Sequence, residues 1–280
     1  MKALKVFSVV VLLLLRTAAI SLWAQDKPTA VPAEIDMSDF YPLGFSTVDE
    51  VLFAKFGLDL PWSDEVTFTN ESQHEYVDLG LSVKWATCNV GADKPEDYGD
   101  LYAWGELEPK ERYTWENYRF RTSGNDEGTV RLSKYTSIVY TGLYDENGRS
   151  IADDKTLLDL EDDVAHVKWG GNWRLPTVEE MNELIDSCTW TWTTLNGVNG
   201  CLVTSNRPGY TDRSIFLPAA GKYAFQPENI SVGIRGYYWS SSGNRNETSH
   251  SASVLCFGSS YDVVKITFRN HGQSIRPVCP

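Results

Sequence analysis

The pattern of apolar and polar positions changes character three times along the chain. Val6 to Leu15 is apolar apart from Ser8, between the basic start Met1-Lys2-Ala3-Leu4-Lys5 and Arg16. A run this short falls well below the about 20 residues a membrane-spanning helix needs. Small residues follow up to Ala24, and residues 1–24 read as a cleavable export signal. Residues 25–74 are punctuated by Pro28, Pro32, Pro42 and Pro61. One short helix is predicted there over 47–56, where Val48, Val51, Leu52 and Phe56 recur at helical spacing and Gly57 closes the run.

Beyond residue 75 the period becomes that of strands. Runs at Tyr76–Leu79, Leu81–Ala86, Thr189–Thr194, Cys201–Thr204, Ser214–Leu217, Tyr237–Ser240, Ala252–Phe257, Val263–Phe268 and Ser274–Val278 are separated by turn residues. Asn147-Gly148, Asn196-Gly197 and Asn199-Gly200 are turn signals. In Thr189-Trp190-Thr191-Trp192-Thr193 strict alternation places both tryptophans on one strand face. One helix is strongly written: Thr177 and Glu180 form a capping box, and Val178, Met181, Leu184, Ile185 and Cys188 share a face. A weaker one spans about 162–168 and stops at Gly170-Gly171. Two helices among several short, mostly antiparallel strands predict an α+β domain over 75–280.

Ordered motifs add a resemblance. Tyr76-Val77-Asp78-Leu79-Gly80-Leu81-Ser82-Val83-Lys84-Trp85-Ala86, Tyr98-Gly99-Asp100-Leu101-Tyr102-Ala103-Trp104-Gly105-Glu106 and Trp169-Gly170-Gly171-Asn172-Trp173-Arg174-Leu175-Pro176-Thr177 come first. Phe216-Leu217-Pro218-Ala219-Ala220-Gly221, Tyr237-Tyr238-Trp239-Ser240-Ser241-Ser242 and Ser274-Ile275-Arg276-Pro277-Val278-Cys279 follow. Residues 75–280 thus resemble the Fibrobacter succinogenes major paralogous domain. The resemblance implies a C-type-lectin-like fold in an exported bacterial protein, related to the C-terminal domain of the Legionella collagen-like protein. It implies no activity.

Composition narrows the partners. With 25 Lys+Arg against 38 Asp+Glu the formal charge is −13, which disfavours nucleic acid and anionic membranes. Five cysteines, at 88, 188, 201, 256 and 279, leave one unpaired in any intramolecular scheme, and spacing alone does not choose a pairing. The side-by-side first and last strands of the implied fold predict a Cys88–Cys279 bridge. Asp159, Glu161, Asp162 and Asp163 are read as a helix N-terminal charge set rather than a metal site. Gln226-Pro227-Glu228-Asn229 is only half of a lectin-type calcium cage. His74, His166, His250 and His271 are scattered, and no cofactor motif occurs. Arg174 and Arg276 are read as structural, fanning their donors onto carbonyls or a carboxylate.

The ligand-binding candidates are Tyr210, Tyr223, Phe225, Glu228 and Asn229, in the Gly- and Pro-punctuated stretch 205–236. The expectation is a non-enzymatic recognition module that binds a glycan or a cell-surface protein through that stretch. It would be secreted or periplasmic, with no membrane span after signal cleavage. A secreted hydrolase or modifying enzyme would instead require convergent acids or an activated thiol. A surface-appendage subunit would use residues 25–74 for attachment.

Overall fold

The computed structural model describes residues 74–122, 130–137, 141–224, 227–244 and 250–280. All of them fall in one unit, Gln73–Pro280. The export signal, the helix expected over 47–56 and Phe225 lie outside the described residues.

Two α-helices and many short strands make up the described residues, and every strand pair in its sheets is antiparallel. β1 (Tyr76–Val77) and β2 (Lys84–Ala86) form a small sheet at the start of the unit. Its third strand is the last of the chain, β15 (Val278–Cys279), which places Val278 opposite Trp85. Two two-stranded ribbons follow, β3 (Arg121–Thr122) with β4 (Arg131–Leu132) and β5 (Leu143–Tyr144) with β6 (Ser150–Ile151).

α1 (Val164–Trp169) is short, and its N-cap Asp163 accepts hydrogen bonds from the Ala165 and His166 amides. Gly170, at φ +70°, ends it. α2 (Val178–Ser187) begins with the capping box expected of Thr177 and Glu180, each side chain satisfying the other residue's amide. Glu180 also takes both terminal nitrogens of Arg174, at 2.8 and 2.6 Å. Because Arg174 pairs its backbone with Val278, this clamp ties the start of α2 to the last strand.

A three-stranded meander follows: β7 (Cys188–Leu195), β8 (Val198–Ser205) and β9 (Ser214–Pro218). Asn196 and Gly197 both have positive φ, as a tight two-residue hairpin requires, and they turn β7 into β8. Asn199-Gly200 is no turn but part of β8. A β-carbon at Gly200 would run into the Leu217 carbonyl, so this glycine allows close strand approach instead. The second sheet contains β12 (Gly236–Gly243), β13 (Ser251–Gly258) and β14 (Tyr261–Phe268). Between the sheets, β10 (Lys222–Tyr223) pairs with β11 (Asn229–Ile230).

The second sheet separates two cores. Tyr237, Trp239, Val254 and Cys256 face a cluster with Tyr102, Trp104, Tyr135 and Trp169, whereas Tyr238, Leu255 and Phe257 face Trp85, Met181, Leu184 and Val203. This is the period-2 alternation with apolar residues on both faces, and it explains why all of β13 is buried. Trp190 and Trp192 share the inner face of β7 and pack half-buried on the second cluster.

The expected strand over Ser274–Val278 is mostly absent. Ser274 pairs with Tyr237 and Trp239, Ile275 accepts from Val90, and Pro277 accepts from Ala86. The segment crosses from one sheet to another, and Pro277 has no amide to extend a ladder.

The Cys88–Cys279 bridge is a correction. All five cysteines are free. β2 and β15 do pair, but the register sets Cys279 opposite Lys84, while Cys88 lies beyond the end of β2, beside the Arg276 region. Antiparallel neighbours that far out of register cannot bring two sulfurs together.

Buried Asp163 yields a pH test. Burial pushes its carboxyl up to about 6, against the opposing pull of the Leu175, His166 and Ala165 amides. A folded pKa above the unfolded one means the native state holds the proton more tightly. The stabilisation is complete below about pH 4 and lost as pH rises through 6. Relative to Asp163→Asn, the wild type should therefore lose roughly 2 kcal/mol between pH 4 and 6. Paired urea titrations at those two pH values check it, and a constant difference would be contrary.

Candidate functional site

The sequence-derived ligand candidates do not converge. Tyr210 packs its ring over Gly80, with the Arg213 guanidinium 4.6 Å from the ring centroid. Tyr223 stacks on Tyr113 at 5.1 Å and pairs its backbone with Gly272. One face of each ring is thereby covered. Glu228 is exposed. Asn229 donates from Nδ2 to the Ala220 carbonyl at 2.9 Å, so its amide braces the loop.

The acidic cluster has a filled centre. One oxygen each from Asp159, Glu161 and Asp162 lies within 4.8 Å of the others. The Lys134 ammonium bonds all three, at 2.8, 2.7 and 2.6 Å. Buried Asp162 also accepts from the Tyr135 hydroxyl at 2.6 Å and pairs with Arg119 at 3.1 Å. The acids do stand at helix starts, as expected: Asp159 is the N-cap of the 3-10 turn Leu160–Asp162, which holds Glu161 and Asp162, and Asp163 caps α1. The structure adds Lys134 at the centre of the first three.

Arg276, 1% exposed, sends Nε to Asn89 Oδ1, Nη1 to the Ala86 and Thr87 carbonyls and Nη2 to the Phe216 carbonyl. Arg269 is equally buried. It lies 4.5 Å over the Trp104 ring and donates from Nε to the Ser251 carbonyl. Beside it, Thr136, Asp154, Thr156 and Asn244 line a cavity of about 20 Å³, room for a single water.

A different surface is assembled by the excursion between β9 and β12. Gly221, at φ +69°, lets the chain double back, and a side chain there would strike the Ile230 carbonyl. The Gly221 amide bonds Arg235, that of Gly233 bonds Ala219, and Asn199 Nδ2 holds the Gly233 carbonyl at 3.0 Å. So stapled, the excursion sets Lys222 and Arg235 beside the β13–β14 hairpin. Lys222 Nζ lies 4.6 Å from the Tyr237 ring centroid, the Arg235 guanidinium 5.9 Å from that of Tyr261, and Lys265 Nζ 5.1 Å from that of Tyr261. The Tyr261 hydroxyl touches Cys256 Sγ at 3.7 Å.

Among the described residues none of these three cations has a carboxylate within ion-pair distance. Lys110, Lys134, Lys155 and Arg174 by contrast find one at 2.5–2.6 Å. Half-burial lowers the Lys222 pKa, and the charges of Arg235 and Lys265 lower it further. Arg235 is raised by its hydrogen bond to Tyr237. Burial pushes Tyr261 up to about 12 and His271 down to about 4, the latter helped by nearby Lys222.

Sequence reasoning missed this cluster. Lys222 and Arg235 fall inside the stretch 205–236, where attention went to the aromatic residues. Tyr261 and Lys265, four apart on one strand, could have been read as sharing a face. No family model, curated protein or solved structure matches the chain.

Proposed function

We propose that the chain is an exported, non-catalytic recognition module, built on a C-type-lectin-like scaffold of the Fibrobacter succinogenes major paralogous type. It binds a glycan at the cell envelope or outside the cell, through the excursion between β9 and β12 and the adjoining β13–β14 hairpin. The observation that carries this reading is the group of three cations set beside Tyr237 and Tyr261, none with a carboxylate partner among the described residues. Partly buried Tyr261 can offer a sugar the accessible part of an apolar face, with charged groups beside it to orient the ligand, while buried Tyr237 lies beneath Lys222. In keeping with the scaffold, pairing of β2 with β15 closes the two ends of the described unit on each other. The basic and apolar start of the chain supports export.

Two of the five thiols, Cys188 and Cys201, are unsuited to nucleophilic chemistry. Burial pushes Cys188 up to about 11 and Cys201 to about 12, leaving both protonated near neutrality. A protein partner is the second reading, favoured by Ile230, Val232 and Ile234. These three apolar side chains are exposed on the same excursion, Ile234 by 63%.

The test is a glycan array probed with the full-length exported protein, with and without a chelator. Saturable binding that survives EDTA is expected, because protein cations rather than calcium would hold the ligand. Loss of all binding in EDTA would restore the Gln-Pro-Glu-Asn loop as the site. No retention of any glycan would remove the glycan reading.

A further inference from the structure

We propose that the ligand at this surface is an acidic saccharide, with a carboxylate or sulfate ester seated among Lys222, Arg235 and Lys265 and a sugar ring against Tyr261 and Val263. The inference rests on the recognition reading above and narrows it to one charge class.

The first support is charge accounting. In a chain with 38 acids and 25 bases, three cations sharing two tyrosines should readily meet a carboxylate, and among the described residues none of the three has one within ion-pair distance. Ring faces compensate them only in part, since a ring attracts a cation through its quadrupole and carries no net charge. Lys222 is half-buried and repelled by the other two, so its ammonium is held at a cost that an incoming anion would reverse.

The second support is shape. Tyr261, Val263 and Lys265 point to one face of β14, and Val263 is 37% exposed between the other two. Tyr237 shares the cross-strand row of Val263, two strands away with Cys256 between them, and is itself buried beneath Lys222. An aromatic and aliphatic floor rimmed by cations fits a pyranose whose ring carbons are apolar and whose substituent is anionic. A protein partner would engage Ile230, Val232 and Ile234 instead.

Isothermal titration of the full-length protein would use tetragalacturonate, a chondroitin sulfate hexasaccharide and carboxyl-reduced tetragalacturonate as probes. At least one acidic probe is expected to bind about tenfold tighter than the reduced one, and to weaken as NaCl rises from about 50 to about 500 mM. Arg235→Gln and Lys265→Gln, both at exposed positions, should each lower affinity about five- to tenfold with unchanged near-UV circular dichroism. Lys222→Gln should do at least as much. Lys94→Gln, distant in sequence and outside the cluster, should change nothing.

Equal binding of acidic and reduced probes, unmoved by these substitutions, would overturn the charge assignment and leave glycan recognition standing. Binding of a protein ligand alone, abolished by Ile234→Asp, would overturn the saccharide and keep recognition at this surface. Failure to bind any saccharide or protein would overturn both.

Discussion

Replacing Arg276 with methionine is expected to lower the unfolding free energy by about 3–5 kcal/mol. The side chain serves four acceptors from two distant parts of the chain: the Ala86 and Thr87 carbonyls with Asn89 Oδ1, and the Phe216 carbonyl. Each buried acceptor left without a donor costs about 1–3 kcal/mol, and recovered guanidinium desolvation offsets part of the sum. Burial lowers the Arg276 pKa, yet among the described residues no carboxylate pairs with it, so its worth lies in geometry rather than in ion pairing. Arg276→Lys should fail nearly as badly, because a tetrahedral ammonium cannot span the planar fan. Urea midpoints with an unchanged slope would measure both. A loss below about 1 kcal/mol would mean the four carbonyl and amide contacts are replaceable by water.

The second large effect is expected at Lys134. Lys134→Ala should destabilise the fold by about 3 kcal/mol, since it strips the ammonium from buried Asp162 and leaves three carboxylates converging. Asp162 keeps Tyr135 and Arg119, which limits the loss. The variant should then acquire what the wild type lacks, a place for a hard cation among oxygens. Millimolar calcium at about 100 times its dissociation constant would return about 2.7 kcal/mol to the variant, seen as a rise in Tm that EDTA reverses. The wild-type Tm should not move with calcium, because Lys134 occupies the centre. A calcium-dependent rise in the wild type would show the lysine to be displaceable.

These expectations also mark how far local pattern reaches. The acids at 159–163 are conspicuous as a sequence cluster, but their partner Lys134 lies a ribbon away and carries no motif. The same holds at the proposed binding surface. Lys222, Arg235, Tyr237, Tyr261 and Lys265 come from one excursion and two strands, brought together by the register that sets Tyr237 opposite Cys256 and Cys256 opposite Val263. Tyr223 and Asn229, prominent in sequence, prove to be brace residues because Tyr113 and Ala220 stand against them.

What the sequence determined by itself is local: the capping box of α2, the Asn196-Gly197 hairpin, the paired inner faces of Trp190 and Trp192, and the succession of short strands. Each depends on dihedral preferences or side-chain spacings within a few residues, which the chain carries wherever it folds. Tertiary structure alone decided that the cysteines stay apart, that Lys134 fills the acidic cluster, and that three cations meet two tyrosines with no carboxylate partner among the described residues. Those outcomes depend on strand register and on contacts across tens to hundreds of residues, where a shift of one position moves every side chain to the opposite face.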